Sequence, residues 1–167
     1  MNMQKAPVSP VAEVTQADEE ETQEQIQVCI FELSDRLFGL SIFEVQEILE
    51  DAEITPVPTT PHFLRGVINL RGNIVPIVDI REILHLPVKP PSRESRIMIL
   101  DMAVKKVRIG IFVDAIREVT HITKQSIQSE VEQLGVADGK FIANVIQYKE
   151  GFLIVLNLDQ LYQAIQL

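Results

Sequence analysis

Three histidines, one cysteine and two strand-ending aspartates are the residues of this chain whose types could do chemistry. His62, His85 and His121 stand in different segments, and none lies at ligand spacing from another histidine, a cysteine or an acid. A zinc site needs such a cluster, so each histidine is expected at the surface or at a boundary. Cys29 sits in Val28-Cys29-Ile30-Phe31-Glu32-Leu33, an apolar, strand-like run. No base lies near it in sequence, and burial raises a thiol pKa rather than activating it. As a lone cysteine it makes no intrachain disulfide. Asp79 and Asp114 each close a strand-like run, where capping explains a carboxylate better than acid–base work. Neither a nucleophile elbow nor a phosphate-binding glycine loop occurs. No nucleophile, base and oxyanion donor can be assembled, so the residues point away from an enzyme.

Two features exceed what a fold requires. Val45-Gln46-Glu47-Ile48 matches Ile116-Arg117-Glu118-Val119 position by position. Matched edges could form the two walls of a groove with an apolar floor, a seat for an amphipathic helix. Ordinary core strands would leave the same trace, and the residues alone do not separate the two readings. The second feature is Arg71, at a hairpin tip between Leu70 and Gly72. A tight turn needs Gly72 but no arginine. Paired with Glu47 of a neighbouring strand, Arg71 would serve recognition; the plainer reading is a solvated turn charge.

The elements that must position these residues repeat. Residues 63–84 align without a gap on 141–162, at a lag of 78. Of the 22 aligned pairs, 12 are apolar in both and 8 are polar or glycine in both. Residues 37–48 align on 108–119 at a lag of 71. One small unit is therefore used twice, and two such units side by side make a groove between them. Residues 36–49 read as strand–bend–strand with the break near Phe43, and a helix over 41–50 is the alternative. The proline-rich stretch 51–62 reads as an extended linker, with a turn at Thr60-Pro61. Gly72-Asn73 supplies the positive-φ positions of a hairpin, and Pro76 suggests an edge or a bulge. Asp79 and Glu82 resemble a capping box opening a short helix, and Asn157 and Gln160 hold the same places in the second copy. Residues 126–135 read as an amphipathic helix, and Leu158, Leu161, Tyr162 and Ile165 fall on one face of a C-terminal helix that packs on the body.

Short strands without a strand–helix–strand rhythm imply a mainly β fold of two five-stranded, SH3-like barrels with short helices. The expected organisation is a disordered acidic tail over 1–25, a first barrel repeat over about 26–90 and a second over 91–167, with strand or helix exchange between them open. Net charge is −9, of which the tail carries −5. An acidic body without a basic stripe argues against nucleic acid and against an anionic membrane surface. A small nucleic-acid-binding barrel would need an aromatic and basic platform, and none is visible. No apolar run approaches the ~20 residues that span a bilayer, which points to a cytoplasmic protein.

At these residues the chain resembles a known family. FGLSIFEVQEI (38–48), TPHFLRGVINLRGNIVPIVDIREIL (60–84) and IGIFVDAIREV (109–119) are similar, in this order, to the most recognisable stretches of the CheW family of bacterial chemotaxis coupling proteins. The likeness implies two five-stranded barrels with a groove between them and no catalysis or cofactor. It implies a scaffold that couples the cytoplasmic tip of methyl-accepting chemoreceptors to the regulatory domain of a CheA-type histidine kinase, at membrane receptor arrays. An equivalent adaptor of a pilus or surface-motility system is the alternative. Carried over by position, Val45, Ile116 and Val119 match receptor-groove residues, and Ile97 and Met98 a further apolar pair there. Glu47 and Arg71 match the family's coupling charge pair. Ile42 and Ile48 match the edge that meets the kinase.

Overall fold

The computed structural model describes residues 25–102, 106–123 and 139–165. The acidic tail, apart from Gln25, and the helix expected over 126–135 lie outside the described residues. Within them, ten strands form two sheets. One sheet holds β1 (Gln25–Leu33), β2 (Arg36–Ser41), β8 (Ala115–Thr123), β9 (Ile142–Tyr148) and β10 (Gly151–Leu156), in the order β8-β1-β2-β10-β9. The other holds β3 (Val45–Leu49), β4 (Leu64–Leu70), β5 (Asn73–Val78), β6 (Arg96–Met102) and β7 (Val107–Val113), in the order β3-β6-β7-β5-β4.

These orders are the same once each strand is replaced by its repeat partner. The first copy gives β1 and β2 to one sheet and β3, β4 and β5 to the other. The second copy gives β6 and β7 to that other sheet and β8, β9 and β10 to the first. The chain crosses between sheets twice at matching places: at a 3-10 turn, Ile42–Glu44, between β2 and β3, and at Asp114 between β7 and β8.

Both faces of each sheet are buried, which is why runs such as Val28–Leu33 and Ile97–Leu100 are apolar without alternation. Alternate residues go to different layers. Cys29, Phe31 and Leu33 of β1 join Met98, Leu100 and Met102 of β6 in a central layer shared by the two sheets. Val28 and Ile30 turn instead to a smaller cluster on the far side of their own sheet, and Ile97 and Ile99 do the same on theirs. Two helices, α1 (Ile80–Leu84) and α2 (Leu158–Ile165), close the central layer with Ile80, Leu84, Leu158, Leu161 and Ile165. The expected C-terminal helix thus packs on the body.

Local expectations fare unevenly. Ile42–Leu49 is a turn followed by a strand, not a helix. The hairpin's positive-φ residues are Arg71 (φ 50) and Gly72 (φ 87) rather than Gly72-Asn73, because Asn73 already pairs with Leu70 as the first residue of β5. Pro76 lies in an interior strand. It is tolerated because β5 pairs with β7 only at Ile77 and Val78, beyond the missing amide. Asp79 caps α1 through the amide of Arg81 at 3.1 Å, while its own amide donates to Phe63 O rather than to Glu82. The full capping box lies elsewhere, between Ser41 and Glu44.

Candidate functional site

The matched sequences form the matched edge strands, β3 of one sheet and β8 of the other. Each edge carries one extra residue. Val45 lies opposite Leu100 and Glu47 opposite Ile99, so Gln46 is inserted. Ile116 lies opposite Phe31 and Glu118 opposite Ile30, so Arg117 is inserted at the same repeat position. Such a bulge resets the in–out alternation, and directly paired residues share a face. Val45 and Ile48 therefore both face the central layer, although three apart, and so do Ile116 and Val119. Val45 and Ile116 are partly buried against that layer. Ile48 and Val119 continue it outward and are 41% and 46% exposed. The central layer thus reaches the surface at two edges.

Charge pairs flank both edges. Arg71 grips Glu47 with two nitrogens, Nη2 on Oε2 and Nη1 on Oε1 at 3.3 Å. The bond from Arg71 holds the Glu47 carboxyl below the usual carboxylate range, and Glu47 in turn pushes the guanidinium up. Arg71 reaches Glu47 from the left-handed region, which non-glycine residues enter rarely, and Asn69 Oδ1 secures the turn by accepting from the Gly72 amide at 2.8 Å. The arrangement recurs in the second copy. Lys149 stands at φ 53 on its own hairpin tip, with Nζ 3.4 Å from Glu118 Oε2. Ile74 and Phe152, repeat partners, are exposed on the hairpins that carry Arg71 and Lys149. In the aligned repeats Lys149 takes the place of Arg71 and keeps its positive charge, although the tips Leu70-Arg71-Gly72 and Tyr148-Lys149-Glu150 otherwise differ.

The remaining candidates divide. Ile42, Val45, Met98 and Ile116 meet in the central layer, Met98 fully enclosed. Ile97 is buried on the opposite face of β6, in its sheet's own cluster, and does not join them. Cys29 is buried, and burial pushes its thiol pKa up. His62, His85 and His121 are exposed. Among the described residues, no three His, Cys, Asp or Glu side chains gather to hold a metal ion.

Sequence reasoning missed one polar cluster. Arg81 is wholly buried at the junction of the two sheets. Its Nε and Nη2 each donate to Asp79 at 2.8 Å, and Nη1 donates to Asp114 Oδ1 at 2.8 Å and to Lys89 O at 3.1 Å. Arg65 adds a bond to Asp79 Oδ2 at 2.5 Å. The ring of Phe112 lies under both guanidinium groups, 5.2 Å from Arg81 and 5.7 Å from Arg65. Burial alone would push the Asp79 carboxyl up, but the bonds from Arg81 and Arg65 outweigh it and hold it down. Asp79 and Asp114 do more than cap. The repeat alignment held the signal: Arg65, Asp79 and Arg81 are all lost in the second copy, where Ala143, Asn157 and Asp159 stand.

A duplicated β scaffold that exchanges strands and presents matched apolar edges beside charge pairs is an interaction module. Its lineage is specific. The chain belongs to the family of CheW-like domains, whose model matches residues 27–166. The chemotaxis protein CheW of Treponema pallidum is 28% identical over 148 residues, covering 86% of each chain. That of Thermotoga maritima is 29% identical over 143 residues, covering 84% of this chain and 90% of the relative. The crystal structure of the scaffolding protein CheW from Thermoanaerobacter tengcongensis matches with a TM-score of 0.72 at 31% identity, over 81% of this chain and 86% of that one. The family is one of scaffolds and adaptors. Among the described residues, no helix is long and apolar enough to cross a membrane.

Proposed function

We propose that this chain is a non-enzymatic chemotaxis coupling adaptor that holds a chemoreceptor's cytoplasmic tip and the regulatory domain of a CheA-type histidine kinase on one scaffold. The observation that carries the reading is the exposure of the shared central layer at two bulged edges, in a chain of this family. Ile116 and Val119, with Val45, form the receptor-facing apolar surface. Met98, enclosed in the central layer, supports it from behind, while Ile97 lies on the opposite face of β6. Ile42 and Ile48, on the β3 side, face the kinase. Glu47 and Arg71 orient the region between, and their exposure suits recognition better than stability.

Capture by a receptor-tip fragment and by the kinase regulatory domain tests this. Val45→Glu or Ile116→Glu abolishes receptor capture and spares the kinase domain; Ile48→Glu does the reverse. Kinase stimulation requires all three components together. Folded glutamate variants that keep both partners would overturn the assignment of these surfaces.

A further inference from the structure

The repeat is broken most sharply at the two crossings between sheets. At the β7–β8 crossing, Asp114 accepts from Arg81 and also, through Oδ2, from the Ser34 amide at 2.7 Å, while its own amide donates to Glu32 O at 2.9 Å. One carboxylate thus ties the β1–β2 turn of one sheet to the helix that follows β5 of the other. The connecting segment is stitched to the same place: Ser34 Oγ donates to Pro87 O, Lys89 pairs with Asp35, and Lys89 O accepts from Arg81. The guanidinium is planar and forked, so it fixes direction as well as charge.

The β2–β3 crossing has none of this. Phe43 takes the place of Asp114, and Asp159 that of Arg81. Among the described residues, the Ser41 and Glu44 side chains bond within the turn: Glu44 Oε1 accepts from the Ser41 amide at 3.2 Å and Ser41 Oγ from the Phe43 amide at 3.3 Å. Burial pushes the Glu44 carboxyl up, and the charge of Asp159 adds to that, where the β7–β8 crossing has attraction between Arg81 and Asp114. Phe43 is 89% exposed. The strand that follows, β3, has five residues and none fully buried, whereas β8 has nine and buries Ala115 and Ile122.

We infer that Arg81 is a positioning residue: through Asp114 it fixes the β7–β8 crossing, and so the seat of Ile116 two residues on, while the β2–β3 crossing is left compliant to adjust to a partner. This rests on the reading of Ile116 as part of the receptor-facing surface. Local opening of this kind is visible in amide hydrogen exchange. In the unaltered protein, amides of 45–49 exchange faster than those of 115–119 by about tenfold. Asp114→Asn keeps an acceptor for Ser34 but loses the charge; it raises exchange over 115–119 by about tenfold and leaves 45–49 unchanged. It also weakens capture by a receptor-tip fragment and spares capture by the kinase regulatory domain. Arg81→Lys, which keeps the charge without the fork, shows the same exchange pattern in milder form. Equal acceleration at both edges, or none over 115–119, would overturn the inference. Ile116→Glu separates the two ideas: receptor capture undiminished by it sinks the surface assignment alone, while the exchange pattern still judges the crossing.

Discussion

Replacing Arg81 by methionine removes the group on which the junction of the two sheets depends, and the cost follows from the geometry. Asp79 is fully buried and accepts two bonds from the Arg81 side chain, so deleting that side chain leaves a buried carboxylate short of partners. Breaking one side of a buried ion pair costs roughly 3–5 kcal/mol. Arg65 remains on Asp79 and is itself 37% exposed, which places the loss near the lower end, about 3 kcal/mol. For a chain of this length that is a fall in Tm of roughly 6–12 °C. The effect depends on pH, with a definite sign. The folded Asp79 carboxyl is held below its ordinary value. Its stabilisation is therefore complete above the unfolded carboxylate pKa of about 4, and is lost as pH falls through the depressed folded value. Arg81→Met lets that folded value rise, so the gap between the two proteins is widest near neutrality and narrows toward acid. Urea and thermal unfolding from pH 7 downward measure both features. A loss under about 1 kcal/mol at pH 7 would mean that desolvation cancels the pairing. A gap that stays constant toward acid would remove Asp79 from the explanation.

Two further outcomes follow from single positions. Gly66 stands at φ 145, and a Cβ there would lie 2.8 Å from both Ile54 Cγ2 and the Thr55 carbonyl carbon, where the linker pairs with Val67; Gly66→Ala lowers stability by about 2–4 kcal/mol in urea unfolding, and an unchanged midpoint would show that the linker lifts off freely. Exchanging the exposed pair, Glu47→Arg with Arg71→Glu, leaves the unfolding midpoint in place; either single change abolishes kinase stimulation in the three-component assay and the double change restores part of it, whereas full activity of both single variants would make the pair a bystander.

Much of the fold was legible because the chain is duplicated. Apolar runs, turn residues and the two lags located the strands and short helices, and the match of 45–48 with 116–119 pointed to the two matching edge strands. What escaped has a common physical origin. A bulge is a fact of pairing, not of one strand, so nothing in Val45–Ile48 alone says that residues three apart share a face; only Leu100 and Ile99 across the ladder show it. The polar cluster likewise draws Arg65, the neighbours Asp79 and Arg81, and Asp114 from three separate places in the chain, and the two aspartates read as caps beside their sequence neighbours. The Glu118–Lys149 pair hid because its tip lacks the glycine that made Arg71 conspicuous.

Strand exchange explains why Asp79 and Arg81 are charged and yet buried. Had each repeat kept its own five strands, the two barrels would meet as finished bodies, and only apolar contact would hold one against the other. Here each sheet takes two strands from one repeat and three from the other, so neither repeat completes a sheet alone. The backbone must cross between the sheets twice, and each crossing brings polar groups to the margin of the central layer. Polar groups there demand partners. One crossing meets that demand with a short turn that caps itself. The other does so at Asp114, which lies two residues before Ile116 and accepts from the buried Arg81 of the other sheet's helix. Close-packed side chains transmit displacement, and Val45 and Ile116 rest on the same central layer from opposite sheets. The two apolar edges are therefore surfaces of one core, one anchored by charge and the other held by packing.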